Sequence, residues 1–162
     1  MKIFSVIFLV VIGLFVFPDS TEYIQLPIIE EKAESKIILY FTGDIMLDRG
    51  VDFYIQKNED WHWPFLQISD FLNEADLVSG NLESMISDKG VNVGSIYSFQ
   101  ANPNSIDSLR YAGFDILSIA NNHSFDYTRV ALEDTMSRLK DADIDYIGGG
   151  FSENEAYTPV IK

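Results

Sequence analysis

The chain has 162 residues, with 25 acidic and 11 basic side chains, two histidines and no cysteine, which gives a formal net charge of −14. The lack of cysteine excludes disulfides, thiolate metal sites and cysteine nucleophiles, so any metal must be held by oxygen and imidazole ligands. Because affinity for DNA and RNA comes largely from Lys and Arg, the acidic balance argues against a nucleic-acid partner. The hydrophobic content of 47% is typical of a folded domain rather than a disordered chain.

Residues 1–17 have the pattern of a targeting segment, in which Lys2 precedes an almost unbroken apolar run. A helix over this run would cover roughly 22 Å, short of the ~30 Å hydrocarbon core of a bilayer, which favours a signal peptide. The residues Phe17–Asp19 lack the small residues of a cleavage site, which favours an uncleaved membrane anchor. Both interpretations place the rest of the chain outside the cytoplasm, on the membrane or secreted.

Two further regions follow this segment. Residues 18–35 mix Pro, Glu, Ser, Thr and Lys without a clear period, which predicts a linker. Residues 36–162 alternate between strand and helix patterns. Strands are predicted over 36–41, 75–79, 114–120 and 145–147, and helices over 64–74, over 103–112 and from Thr128 onward. This alternation predicts an α/β fold with a mostly parallel sheet and helices on both faces.

Local signals support individual elements of this α/β domain. The apolar run over 36–41 is typical of a strand that is buried on both faces. Asn102 is a predicted N-cap before Pro103, and Gly113 is a predicted helix stop. Thr128 is a predicted cap for a helix whose apolar face carries Leu132, Met136 and Leu139.

Polar residues follow three of the predicted strands. They are Asp44, then Asn81 and Glu83, then Asn122 and His123. Because the carboxyl ends of parallel strands meet at one edge of a sheet, these side chains are expected to converge there. Carboxylate, amide and imidazole groups together suit Mg, Mn, Zn or Fe. Taken singly, Asp44 and Asn81 are equally well explained as turn or cap residues.

The surroundings of His123 favour a functional role. It lies in a dense polar loop in which Asp126 is placed to orient the imidazole and to fix its tautomer. His62, within Trp61-His62-Trp63, is instead explained by an aromatic cluster, and Gly148–Gly150 by a turn at a strand end. Acidic side chains of the last helix region are expected to be solvated; they are Glu133, Asp134, Asp141 and Asp143.

Three segments, Phe41–Arg49, Ala75–Glu83 and Ala112–Asp126, resemble in order and wording the CapA or PgsA family of capsule and poly-γ-glutamate synthesis proteins. The resemblance runs from about Ile37 to the end of the chain. It implies a calcineurin-like metallophosphoesterase fold, a four-layer α/β sandwich with metal ligands on the loops after the strands. It also implies outward-facing attachment to the membrane and other proteins of a synthesis complex as partners.

The resemblance further implies roles for single residues. Asp44 corresponds to the first metal-binding aspartate, Glu83 or Asn81 to a ligand of the second motif and Asn122 to the metal-binding asparagine. His123 corresponds to the adjacent histidine that assists the leaving group or orients phosphate. Met46 stands where the first motif usually has a histidine. A thioether is a poor ligand for hard divalent ions.

Two functions remain open at this point. One is a metal-dependent hydrolase or transferase that acts on a phosphoester or an amide-linked polymer, with His123 and Asp126 as catalytic residues. The other is a non-catalytic component that binds or guides an anionic polymer such as poly-γ-glutamate through a bridging cation. Since residues 159–162 read as the start of another strand, we expect the N-terminal part of a longer domain or a truncated product, which adds an inactive fragment as a third possibility.

Overall fold

The computed structural model describes residues 36–162, so the predicted targeting segment (1–17) and linker (18–35) lie outside the described residues. Residues 36–162 contain six strands and five α-helices. The strands are β1 (Leu39–Ile45), β2 (Leu77–Leu82), β3 (Met85–Ile86), β4 (Gln100–Ala101), β5 (Ile116–Ser118) and β6 (Asp145–Ile147). The helices are α1 (Gly50–Asn58), α2 (Ser69–Leu72), α3 (Ile106–Ala112), α4 (Thr128–Asp141) and α5 (Glu153–Ala156). None of these helices has the length and apolar character needed to cross a membrane.

Four of the strands form one parallel sheet. Its order is β1-β2-β5-β6, and β3 pairs with β4, also in parallel, to form a separate two-stranded sheet. Consecutive strands of the larger sheet are joined through helical segments, as parallel pairing requires. The predicted α/β class and mostly parallel sheet are therefore confirmed, and the architecture is consistent with part of a metallophosphoesterase-like sandwich.

The two faces of the larger sheet differ in burial. On β2, Val78, Gly80 and Leu82 are buried, whereas the alternate residues are only half-buried. Val78, Leu82 and Leu117 of the sheet share one hydrophobic core with side chains of α2, α3 and α4, which include Leu72, Leu109, Met136 and Leu139. Within residues 36–162 the prediction of helices on both faces is thus met on one face only.

The outer strand β1 shows the difference most clearly. Phe41 is 74% exposed and Leu39 is 50% exposed, so the prediction that this strand is buried on both faces is wrong. Its apolar side chains lie on the open face of the sheet, and in the described part of the chain β1 pairs with β2 alone. On the covered face, Tyr40 stacks against Phe71 of α2 with ring centroids 4.5 Å apart.

Several element boundaries differ from the prediction. Strands β1 and β2 extend beyond their predicted ends through Asp44 and Asn81, because backbone pairing continues where the side chains become polar. The predicted helix over 64–74 is interrupted: a 3₁₀ turn at Trp63–Phe65 is followed by the short α2, since Ile68 (φ −128°) leaves the helical region. Helix α1 and the small sheet of β3 and β4 have no counterpart in the prediction.

The sequence predicts the ends of α3 correctly but assigns the wrong role to Thr128 at the start of α4. The Asn102 side chain accepts a hydrogen bond from the Asn104 backbone N–H at 3.0 Å, and Gly113 ends α3 with φ +80°, as predicted. Thr128 does not cap α4; it is the first residue of the helix and has φ +70°. The predicted apolar face of Leu132, Met136 and Leu139 is buried.

Asp134 of α4 is buried, so the prediction that it is solvated is wrong. Its carboxylate accepts hydrogen bonds from Lys89 Nζ (2.6 Å), Arg138 Nε (2.8 Å) and Ser87 Oγ (2.8 Å). Burial raises the pKa of Asp134, but the hydrogen bonds from these three groups outweigh it and leave the pKa below its usual value. Since Ser87 and Lys89 follow β3, their hydrogen bonds to this carboxylate link that segment to α4. Asp141 and Asp143 are exposed, as predicted, and Glu133 is half-buried.

We expect Asp134→Asn to lower the free energy of unfolding at pH 7 by about 1–2 kcal/mol, since two cations lose their partner but Lys89 is largely solvated. A carboxyl group whose pKa is lower in the folded state stabilises the protein above the pKa of the unfolded state, and this stability is lost as the pH falls through the folded pKa. The difference between wild type and variant should therefore shrink below about pH 4. Urea unfolding at pH 7 and pH 3 measures it. The exposed Asp141→Asn is the control; an equal loss in both variants, or a loss independent of pH, would contradict the assignment.

Candidate functional site

The carboxyl ends of β1, β2 and β5 lie at one edge of the larger sheet. Asp44 of β1 is the register partner of Asn81 in β2, and Asn81 is in turn the partner of Ser118 in β5. The loop that follows β5 carries Asn121 and His123 to the same edge. Residues that are about forty positions apart in the chain are thus neighbours in space because the strands are parallel.

Asn81 is at the centre of this group. Its Nδ2 donates to Asp44 Oδ1 at 2.8 Å and to Glu83 Oε1 at 2.6 Å, so two carboxylates converge on one amide nitrogen. Its Oδ1 accepts from Asn121 Nδ2 at 3.0 Å. The amide separates two negative charges that would otherwise repel each other.

The loop after β5 is fixed by its own hydrogen bonds. Asn121 Nδ2 also donates to the Leu82 carbonyl at 2.8 Å, and Asn121 Oδ1 accepts from the His123 backbone N–H at 2.9 Å. The buried Ser124 hydroxyl accepts from the Asn121 backbone N–H at 3.1 Å. These bonds tie the loop to β2 and define the position of His123.

The imidazole of His123 lies between two carboxylates. Nδ1 is 2.8 Å from Asp126 Oδ2, and Nε2 is 3.5 Å from Glu83 Oε2. Asp126 is buried and also accepts from the Phe99 backbone N–H at 2.8 Å. An acceptor at Nδ1 favours the tautomer with the proton on that nitrogen, which leaves the lone pair of Nε2 directed to the site. The contact between His123 and Asp126 that the sequence predicts is therefore present.

The structure brings together Asp44, Asn81, Glu83, His123 and Asp126, but Asn122 takes a different position. Asn122 is exposed, and its side chain makes none of the hydrogen bonds found within residues 36–162. Its neighbour Asn121 is the amide that contacts β2, and sequence reasoning did not select it. The signal that could have identified Asn121 is its place directly after the buried end of β5, where an amide can still reach the neighbouring strand.

Three other residues that the sequence analysis considered are His62, Met46 and Gly148. His62 stacks on Tyr111 with ring centroids 4.1 Å apart, which confirms the aromatic cluster. Met46 turns back on its own loop, where its Sδ is 3.3 Å from the Asp48 backbone nitrogen. Gly148, at the end of β6, has φ +81°, as a strand-end turn requires.

The donor set at the sheet edge fits a divalent cation in its chemistry. Asp44 and Glu83 supply carboxylate oxygens that face a common point, and His123 supplies an imidazole nitrogen. The amide oxygen of Asn81 faces Asn121 and would join them only after the amide turned over. At present the amide NH₂ of Asn81 takes the place between the carboxylates. No three acidic or histidine side chains of the described chain come close enough to form a metal cage by themselves. The amide oxygens are therefore needed to complete a ligand set.

We expect neutral His123 to carry its proton on Nδ1 in the wild type and to lose that preference in Asp126→Ala, because the acceptor at Nδ1 is removed. Nitrogen-15 NMR shifts of the two ring nitrogens measure the tautomer. His62, which stacks on Tyr111 away from Asp126, is the internal control and should not respond. A wild-type His123 with its proton on Nε2 would contradict this arrangement.

Comparisons with known proteins agree with the motifs at this edge. The sequence profile of the family described as bacterial capsule synthesis protein PGA_cap matches residues 38–162. The chain is 29% identical over 132 residues to the capsule biosynthesis protein CapA of Bacillus anthracis, covering 75% of this chain and 30% of that relative. It is 26% identical over 141 residues to the PGA biosynthesis protein CapA of Bacillus subtilis (strain 168), covering 82% of this chain and 35% of that relative. The chain spans about a third of the length of these relatives. It belongs to the PGA_cap family of bacterial capsule synthesis proteins.

Proposed function

We propose that this chain acts on the outer side of the cell membrane in the synthesis or export of an anionic capsule polymer, and that its sheet edge holds a divalent metal ion. The observation that carries the proposal is the convergence of Asp44 and Glu83 on the Asn81 amide, with the His123 ring 3.5 Å from Glu83. Two carboxylates held this close to one another are favoured by a cation that neutralises them.

The names of the relatives support the choice of polymer. The Bacillus subtilis relative is a PGA biosynthesis protein, and the Bacillus anthracis relative is a capsule biosynthesis protein. We extend poly-γ-glutamate or similar capsule material to this chain as its substrate class on that basis. Attachment to the membrane through residues 1–17, and other proteins of a synthesis complex as partners, are part of the same proposal.

The residues of the edge have separate tasks. Asp44 and Glu83 would hold the cation, together with the amide oxygen of Asn81 once that amide turns over and releases Asn121. Asn122 would be the further ligand that the family resemblance implies. A bound divalent ion polarises a substrate oxygen and lowers the pKa of bound water. With both ring nitrogens protonated, His123 would give the Nε2 proton to the leaving group and keep the Nδ1 proton, which Asp126 accepts. Oxygen and nitrogen donors of this kind suit Mn, Zn, Fe and Mg alike.

A second candidate is a non-catalytic component that binds or guides the polymer through a bridging cation. Met46 favours it, because the thioether that replaces a ligand histidine is directed at the Asp48 backbone and adds nothing to the metal set. The site consists mainly of amides and carboxylates, which also favours the non-catalytic component. Such a site binds a cation less tightly than one with several imidazoles.

Metal binding tests the site itself. We expect calorimetric titration with Mn²⁺ or Zn²⁺ to give binding to the wild type that weakens by about tenfold or more in Asp44→Ala. Asp70→Ala, which removes an exposed acid on α2, is the matched control and should bind as the wild type does. Equal affinity in Asp44→Ala and Asp70→Ala would remove the metal proposal.

Polymer secretion separates catalysis from binding. In a strain that lacks the gene for this chain, we expect a His123→Ala copy to restore less than about a tenth of the secreted polymer, because general acid or base catalysis contributes 10²- to 10⁴-fold. A His62→Ala copy serves as the control for the loss of a histidine outside the site. Full restoration by His123→Ala, at equal protein levels on an immunoblot, would instead favour the non-catalytic component.

A further inference from the structure

Arg49 lies between β1 and α1, and its side chain reaches over two aromatic rings. The guanidinium carbon is 5.2 Å from the centroid of the Phe99 ring and 5.7 Å from that of the Tyr97 ring. Cations in such positions are attracted by the negative faces of the rings. Because Tyr97 and Phe99 come from the loop before β4, Arg49 joins that loop to the end of β1.

The Phe99 ring also belongs to the candidate site. Its centroid is 4.2 Å from that of the His123 ring, and its backbone N–H donates to Asp126. One aromatic ring thus contacts both the imidazole of the site and the guanidinium of Arg49. The guanidinium of Arg49 is therefore held by the same group of side chains that fixes His123.

Arg49 is the one arginine whose charge is not used within residues 36–162. The chain has four arginines. Arg110 pairs with Asp107, Arg129 with Glu133 and Arg138 with Asp134 and Asp88, whereas no carboxylate of the described residues lies within ion-pair distance of Arg49. The nearest acid in the chain, Asp48, accepts instead from the Arg49 and Gln100 backbone N–H groups at 2.6 and 3.0 Å. Because acidic side chains far outnumber basic ones in a chain of net charge −14, an exposed arginine without a carboxylate partner is unusual, and its charge is available to a ligand.

The backbone at Arg49 adds an independent observation. Its φ of +53° and ψ of −120° lie in a region that suits glycine and strains other residues. Such strain persists where a side chain is needed at one place and the surroundings hold it there. Here the Asp48 carboxylate holds the strained peptide, so that the guanidinium can lie on the two rings.

We propose that Arg49 is a specificity-determining residue that binds an oxyanion of the polymer, a carboxylate or a phosphate, beside the cation site. The inference rests on the proposed function, because it names the group by which the same site recognises its substrate. A guanidinium presents a planar fork of N–H donors that matches either oxyanion with two parallel hydrogen bonds. It also offsets the acidic field that would otherwise repel a polyanion from this edge.

Binding of defined probes to the full chain tests the proposal. The probes are a short γ-linked glutamate oligomer, its neutral γ-linked glutamine counterpart and inorganic phosphate, each titrated by calorimetry. We expect Arg49→Gln to weaken binding of the glutamate oligomer about tenfold or more, and Arg49→Lys to weaken it less because the charge is kept. Arg110→Gln, which removes an exposed arginine from α3, is the matched control and should bind as the wild type does.

The neutral oligomer should show no difference between wild type and Arg49→Gln. If phosphate binding is lost and oligomer binding is kept, the oxyanion is a phosphate group rather than a side-chain carboxylate. Unchanged affinity of Arg49→Gln for both the oligomer and phosphate overturns the proposal.

Two further measurements separate this proposal from others. Mn²⁺ binding should be as tight in Arg49→Gln as in the wild type or tighter, because a positive charge beside the cation site is removed. Failure of the wild type to bind Mn²⁺ would count against the proposed function, whereas the oligomer titrations judge oxyanion binding by Arg49 separately. Arg49→Gly relieves the backbone strain, so its midpoint of thermal unfolding should equal or exceed that of the wild type while oligomer binding is lost. A lower midpoint with wild-type binding would make Arg49 a structural residue and overturn the inference.

Discussion

Parallel pairing of β1, β2 and β5 is the constraint on which the rest of the structure depends. Strands that run in the same direction end at the same edge, so every loop that leaves them there is brought within reach of the others. The pairing of Asp44 with Asn81 sets which side chains meet. A slip of one residue would turn Asn81 to the opposite face and replace it with Leu82 or Gly80. The hydrogen-bond chain from Asp44 to Asp126 would then not form.

The acidic side chains of this protein are stabilised in two contrasting ways. Asp134 is buried but neutralised within the fold by Lys89 and Arg138, and its pKa is lowered accordingly. Asp44 and Glu83 share the neutral amide of Asn81, and Glu83 also lies 3.5 Å from His123 Nε2. The first arrangement is complete in itself and serves stability. The second leaves two negative charges without a cation from residues 36–162, which is the electrostatic condition for a binding site.

Local signals in the sequence predicted those elements whose ends depend on adjacent residues. The cap at Asn102 and the stop at Gly113 are of this kind, because the hydrogen bonds and the positive φ involve the residue itself or its neighbours. The convergence of strand ends was also predictable, since it follows from parallel topology alone. Thr128 was misleading because a residue type that suits a cap can also occupy the first position of a helix, where Thr128 has φ +70°.

The remaining differences depend on contacts between distant segments. The exposure of Phe41 reflects the position of β1 at the edge, and the burial of Asp134 depends on Lys89 and Ser87, which are more than forty residues away. The contact of Asn121 with β2 depends on its Nδ2 reaching the Leu82 carbonyl of a distant segment. No periodicity within a single segment contains this information. Arg49 was likewise unremarkable until the loop before β4 placed Phe99 beside it.

The half-open sheet has a consequence for the behaviour of the chain in solution. Apolar side chains such as Leu39 and Phe41 lie exposed on a face that the helices of residues 36–162 do not cover. Long-range repulsion between molecules of charge −14 opposes contact through this surface at low ionic strength. Added salt shortens the range of that repulsion and leaves the attraction between bare sheets intact. Where nothing else covers the face, colloidal stability should therefore fall as the salt concentration is raised. Association through patches of opposite charge would show the reverse, because salt weakens that attraction.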